Sequence, residues 1–187
     1  MDRRIEKTMT AAREAALEVL AARGFAAFTM EAVAEQSGIS KSTLYRHWPD
    51  RIALLSDALE TLNVQPRPTE PLRPDAFRDR VAELVTHLAQ VFEHSRIASV
   101  MPALIEAAEH HPRIADFLYG YSAKRRQTLV GLLKEGVEIG ELDPDFDPEL
   151  ASLVLSGPIF YCRLMSSAPF PSEKVAGLVD FCLAKKR

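Results

Sequence analysis

The sequence predicts an all-α chain of about nine helices, on three observations. Apolar residues recur at three- and four-residue intervals along most of its length, and no segment alternates apolar with polar as a half-buried strand would. Glycine, proline, serine, threonine and aspartate interrupt these stretches at helix-length spacing. With 187 residues, 47% hydrophobic and 26% charged, the composition is that of a folded globular chain. The length suits one large domain or a small domain joined to a larger one.

Residues 5–23, IEKTMTAAREAALEVLAAR, set Ala12, Ala15, Ala16, Val19 and Leu20 on one face, and Gly24 ends the helix. Thr29 stands at an N-cap position before MEAVAEQ, whose apolar face is Met30, Val33 and Ala34. Ser37-Gly38 breaks the chain, and Ser40 caps a second short helix, KSTLYRH. Two short helices joined by a glycine-containing turn are the helix-turn-helix pattern. Trp48-Pro49 stops this helix, and Asp50 caps RIALLSDALETLN, which carries Ile52, Leu54, Leu55, Ala58, Leu59 and Leu62.

The four prolines of VQPRPTEPLRP mark a boundary. The expected organisation is a three-helix helix-turn-helix domain at 1–49, a connecting helix at 50–63 and a second helical domain at 64–187. Five further helices are expected, over about 74–94, 97–109, 112–139, 148–166 and from 172 onward, with Asp147 capping the fourth of them.

The short helix after Ser40 is the unusual element. It offers Lys41, Ser42, Thr43, Tyr45, Arg46 and His47 within two turns, while Leu44 and Trp48 point back into the domain. These are donors suited to phosphates and base edges, and a helix in the major groove uses such residues on both. Thr29 and Ser40, at helix starts, also bring backbone N–H groups to positions that suit anions. A solvated face is the plain alternative for a polar helix. The preceding helix, the glycine turn and the capped helix beginning at Arg51 argue against it.

Net charge of −3 and a pI near 6.0 give no whole-protein attraction for nucleic acid, so any such function is local. Residues 1–51 hold eight Lys or Arg against seven Asp or Glu; the remainder holds 15 against 19. Cys162 and Cys182 lack the spacing of a zinc site or redox pair and read as buried free thiols. No leader-like start and no membrane-length apolar run occurs, so a cytoplasmic protein without membrane association is expected. His87 and His94 lie two turns apart and His110-His111 point in different directions, so no metal site is expected. No cofactor is expected either. Without a nucleophile elbow, phosphate loop or His-Glu-x-x-His motif, no enzyme is expected, although a site assembled from distant residues stays open.

Residues 11–55, AAREAALEVLAARGFAAFTMEAVAEQSGISKSTLYRHWPDRIALL, resemble the DNA-binding domain of the TetR/AcrR family of one-component transcriptional regulators. The resemblance covers about a quarter of the chain and implies that the third helix is the recognition helix. By position, Thr29 would bind phosphate, Lys41, Ser42, Thr43, Tyr45, Arg46 and His47 would face DNA, and Arg51 would meet phosphate. Tyr45 and His47 would act mostly at the backbone. The family more often has phenylalanine at Trp48 and lysine at Arg51, and a polar residue at Pro49.

One such module makes few base contacts, so pairing on a palindromic operator is expected, and pairing needs an apolar surface. The last two helices offer Leu150, Leu153, Val154, Gly157, Phe160, Tyr161, Leu164, Val175, Leu178, Val179 and Cys182. The resemblance implies that these helices form a four-helix bundle in a homodimer. For each residue, core packing inside the chain is equally open. The resemblance also implies a small-molecule pocket whose occupation moves the fourth helix. Candidate lining residues are Leu62, Phe77, Val81, Leu88, Phe92, Met101, Ile105, Phe117, Tyr121, Phe160 and Met165, each of which also reads as plain core. An apolar lining suits a largely apolar effector. The expected function is a homodimeric repressor released from its operator by that effector. A ligand-independent DNA-binding or interaction protein is the alternative, and an enzyme with a helical catalytic domain the more remote one.

Overall fold

The computed structural model describes residues 3–62 and 72–184. Nine α-helices and no strand occur among them: α1 (Arg3–Arg23), α2 (Met30–Ser37), α3 (Lys41–His47), α4 (Arg51–Leu62), α5 (Phe77–His94), α6 (Ile97–His110), α7 (Pro112–Glu138), α8 (Pro148–Met165) and α9 (Val175–Cys182). Short 3₁₀ turns at Pro74–Ala76 and Ser172–Lys174 lead into α5 and α9. Most of the proline-rich segment expected as a boundary lies outside the described residues.

The chain forms two compact units, Met1–Val64 with Arg96–Gly120, and Gln65–Ser95 with Tyr121–Arg187. In the first, α1 is the central support: it packs against α2, α4 and α6. Its stripe of Ala12, Ala15, Ala16, Leu17, Val19 and Leu20 is fully buried, which the small alanines permit by letting neighbouring helices approach closely. Phe25 and Phe28, in the link to α2, fill the space beside it with ring centroids 6.2 Å apart. Leu44 of α3 and Leu54, Leu55, Ala58 and Leu59 of α4 complete this core together with Val100, Met101, Leu104 and Ala107 of α6.

Polar links join the same helices across long sequence distances. Arg96, just before α6, pairs with Glu18 of α1 at 3.4 Å. Arg113, in the first turn of α7, pairs with Asp50 at 2.7 Å, and His111 packs its ring 5.6 Å from that of Phe25. Thus α6 and the start of α7 belong physically with the helix-turn-helix.

The second unit is built on α5, which packs against α8 and α9. Phe77, Val81, Val85, Ala89 and Phe92 line its inner face, with Leu129, Val130, Leu132 and Leu133 of α7, and Leu155 and Ile159 of α8, buried in the same unit. Phe92 meets Phe160 edge-on at 4.6 Å. Gly136 of α7 lies directly against the Phe77 ring, so close that any β-carbon there would overlap it. Arg78 ties α5 to α9 by donating to the Leu183 carbonyl at 2.8 Å and pairing with Asp180. Pro158 lies inside α8 and Pro102 inside α6.

Candidate nucleic-acid interface

The reading element is assembled by short-range capping. Thr29 is extended at φ −124° and its Oγ1 accepts from the Ala32 amide at 3.1 Å, which starts α2. Ser37 donates to the Val33 carbonyl at 2.7 Å and Gly38 turns left-handed at φ 69°, which stops α2 where a residue with a β-carbon would be strained. Ser40 then accepts from the Thr43 amide at 3.2 Å and starts α3. Its hydroxyl also lies 3.0 Å from that of Ser42 and 2.9 Å from that of Thr43. A seven-residue helix is too short to persist alone, so α3 depends on this cap and on Leu44 and Trp48, which anchor it to the core.

With those two side chains turned inward, Lys41, Ser42, Tyr45 and Arg46 stand exposed, while Thr43 and His47 are half-buried. Tyr45 has half of its surface in solvent, unusual for so large a ring. His47 leans on Trp48, with ring centroids 5.6 Å apart. Lys41 pairs with Glu31 of α2 at 3.4 Å. The Glu31 carboxyl is held below its usual range, chiefly by its own backbone amide and then by Lys41.

Arg51 differs from this group. Its guanidinium lies 4.3 Å from the Phe25 ring centroid and donates to the Phe28 carbonyl at 2.7 Å, so one edge serves the α1–α2 link. Next to it, Asp50 Oδ1 accepts from the amides of Ile52 and Ala53, both at 2.9 Å, as an α4 cap. The Ala53 hydrogen bond, and after it that from Arg113, holds the Asp50 carboxyl below its usual range.

Sequence reasoning missed a second polar centre behind α3. Asp57 of α4 accepts from Arg13 Nε at 2.9 Å and Arg13 Nη2 at 3.2 Å, and from Trp48 Nε1 at 2.8 Å. Arg13 and Asp57 lie 44 positions apart, so no local pattern links them. The one available signal was Trp48 itself, because a buried indole N–H needs an acceptor.

The residues expected to line an effector pocket fall in both units. Met101, Ile105 and Phe117 belong to the first; Phe77, Val81, Leu88, Phe92, Tyr121, Phe160 and Met165 belong to the second. Phe77, Val81, Phe92 and Met101 are buried, whereas Met165 is 73% exposed. Leu62 ends α4, and its side chain lies outside the described residues. None of these residues borders the cleft of about 710 Å³ in the second unit, which the loop Gly140–Asp147 forms with Leu150, Val154 and Phe181.

Of the residues expected at a dimer interface, Leu150, Leu153, Val154, Gly157, Tyr161 and Leu164 are exposed along one side of α8. Ala151, Ser152, Leu155 and Ile159 occupy its buried side. Val175 and Val179 are 1% and 2% exposed within the single chain, and are therefore core; Leu178 and Cys182 are half-buried. Burial raises the Cys182 thiol above its usual range. Phe181 of α9, not among the expected residues, is 79% exposed. Among the described residues no His, Cys, Asp and Glu cluster could hold a metal, and no helix is long and apolar enough to cross a membrane.

Two family models match the chain: the bacterial regulatory proteins of the tetR family over residues 13–58, and the tetracyclin repressor-like C-terminal domain over residues 74–182. The chain is 31% identical to the HTH-type transcriptional regulator YdeS of Bacillus subtilis over 94% of its own length and 88% of the relative's. It is 28% identical to the DNA-binding transcriptional repressor TetR of Mycobacteroides abscessus, over 88% and 86%. A solved TetR family transcription regulator superposes with a TM-score of 0.69 at 26% identity, covering 97% of each chain. A solved TetR-family regulator from Rhodococcus shares the fold at a TM-score of 0.71 and 20% identity, over 96% of this chain and all of that one. With a capped helix-turn-helix at one end and a matching helical domain at the other, the chain belongs to the tetR family and is a DNA-binding transcriptional regulator.

Proposed function

We propose that the protein is a homodimeric, cytoplasmic repressor that reads a palindromic operator with α3 of each protomer and leaves it when a small-molecule effector binds. The observation that carries the reading is the exposed donor face of α3, held by the Ser40 cap and by buried Leu44 and Trp48. Lys41, Ser42, Thr43, Tyr45, Arg46 and His47 would meet bases and phosphates, and Thr29 and Ser40 phosphates at the helix starts. Arg51 would act mainly by fixing the α1–α2 link, given its contacts with Phe25 and Phe28.

The dimer would form through the apolar side of α8 with Phe181 of α9, because exposed leucine, tyrosine and phenylalanine in one patch favour a protein partner over water. Residues 1–49 would carry the DNA contacts, with 50–63 as their connection and 64–187 supplying effector binding and dimerisation, except that α6 and the start of α7 within it pack with the reading helices. Release would follow from population shift: an effector that prefers the state with the wrong recognition-helix spacing lowers operator affinity by its differential affinity for the two states. The name of the Mycobacteroides relative supports repression over activation. No catalytic role is proposed.

Selection of genomic fragments with the purified protein, then footprinting at a fixed salt concentration, tests the reading. A protected palindrome whose half-sites lie one or more helical turns apart is the expected result. Weak binding without sequence preference and with steep salt dependence overturns it.

A further inference from the structure

The Asp57 carboxylate lies where three helices meet. It receives two hydrogen bonds from Arg13 of α1 and one from the indole of Trp48, the residue that closes α3, while Asp57 itself belongs to α4. Trp48 is 5% exposed, and its backbone amide also completes α3 by donating to the Leu44 carbonyl at 2.9 Å. The end of the recognition helix is therefore fixed in direction by a single charged group on α4. Apolar packing through Leu44 limits how far α3 can move away from the core; a hydrogen bond to a planar indole also limits how it can rotate.

We infer that Asp57 is a positioning residue for operator recognition, acting through Trp48 to set the orientation of α3 against α1 and α4. This rests on the reading of α3 as the operator-contacting helix. Base readout requires side chains placed to a fraction of an ångström, whereas phosphate attraction tolerates small rotations. Loss of the Asp57 charge should therefore reduce discrimination between sequences more than it reduces affinity for DNA in general. Trp48 is the only tryptophan in the chain, so intrinsic fluorescence reports on this junction without a label.

The test uses the full-length protein, the operator fragment selected by the wild type and an unrelated duplex of equal length, at one salt concentration. Asp57→Asn is expected to weaken operator binding by about tenfold while unrelated-duplex binding changes by less than about twofold. The tryptophan emission should shift while the far-UV helical signal is kept. Trp48→Phe leaves Arg13 and Asp57 in place and removes the indole donor together with part of its ring; it should lower the same ratio in the same direction, and it decides the question if Asp57→Asn fails to fold. An unchanged ratio in folded variants, or a parallel loss on both duplexes, overturns the inference. A wild type that prefers no sequence overturns the operator reading and this inference together, whereas clear wild-type preference with unaffected variants overturns this inference alone.

Discussion

Helices α3 and α8 both leave a row of side chains uncovered, but the two rows are chemically opposite. On α3 the row is Lys41, Ser42, Tyr45 and Arg46, groups that water already satisfies. On α8 it is Leu150, Leu153, Val154, Tyr161, Leu164 and Met165, where each square ångström left in water forgoes about 25 cal/mol. The anchoring differs as well. Buried Leu44, the closing Trp48 and a capping serine hold the seven residues of α3, whereas α8 has eighteen residues and a complete buried side of its own. Exposure alone therefore does not identify a partner. The polar row suits a charged, hydrated ligand met intermittently, and the apolar row a surface that stays covered.

The comparison breaks most severely if the α3 row can be removed without consequence. Replacing Lys41, Tyr45 and Arg46 together by alanine should cut operator affinity about a thousandfold and leave the oligomeric state unchanged, as read by anisotropy and sedimentation. Next in size, Tyr161→Asp or Leu153→Asp on α8 should weaken self-association by about a hundredfold, because a carboxylate would be buried without a partner. Operator binding should fall with it through lost avidity, while affinity for a single half-site is retained.

Two smaller effects lie off both rows and calibrate them. Gly136→Ala would force a methyl group into the Phe77 ring and should cost about 1–3 kcal/mol in thermal unfolding, without altering DNA preference beyond the change in folded fraction. The smallest effect concerns Asp50, whose carboxyl lies below its ordinary value of 3.8 because the Ala53 amide and Arg113 favour the charged form. A depressed pKa contributes stability above the ordinary value, and that contribution fades as pH falls through the folded value. Wild type and Asp50→Asn should therefore differ most in melting temperature near neutral pH and converge in acid.

Local structure was largely legible because its causes are local. The caps expected at Thr29, Ser40, Asp50 and Asp147 all accept backbone amides, and the apolar period located the longer helices, while the Ser37-Gly38 break and the Ser40 cap located α3. What sequence could not supply is pairing across distance. Nothing near Arg13 points to Asp57, and nothing near Asp50 points to Arg113, 63 positions on. Helix α9 shows a second limit. Val175, Leu178, Val179, Phe181 and Cys182 give it an apolar stripe too wide for one buried face, so periodicity could not tell the buried valines from the exposed phenylalanine. The donors of α3 are likewise visible in a short stretch of sequence, whereas the Asp57 carboxylate behind them lies on another helix and bonds to residues 9 and 44 positions away.

The ion pair between Asp50 and Arg113 carries a consequence for genetics. Asp50 caps the helix that follows the reading head, and its second oxygen is held from the opening turn of α7. With Arg96 on Glu18 and His111 against Phe25, residues far along the gene complete the fold of its first third. A screen for derepressed alleles will therefore recover changes in codons 96–113 that damage operator binding through the fold of the first unit, and a fragment that ends after α4 will be an incomplete DNA-binding domain.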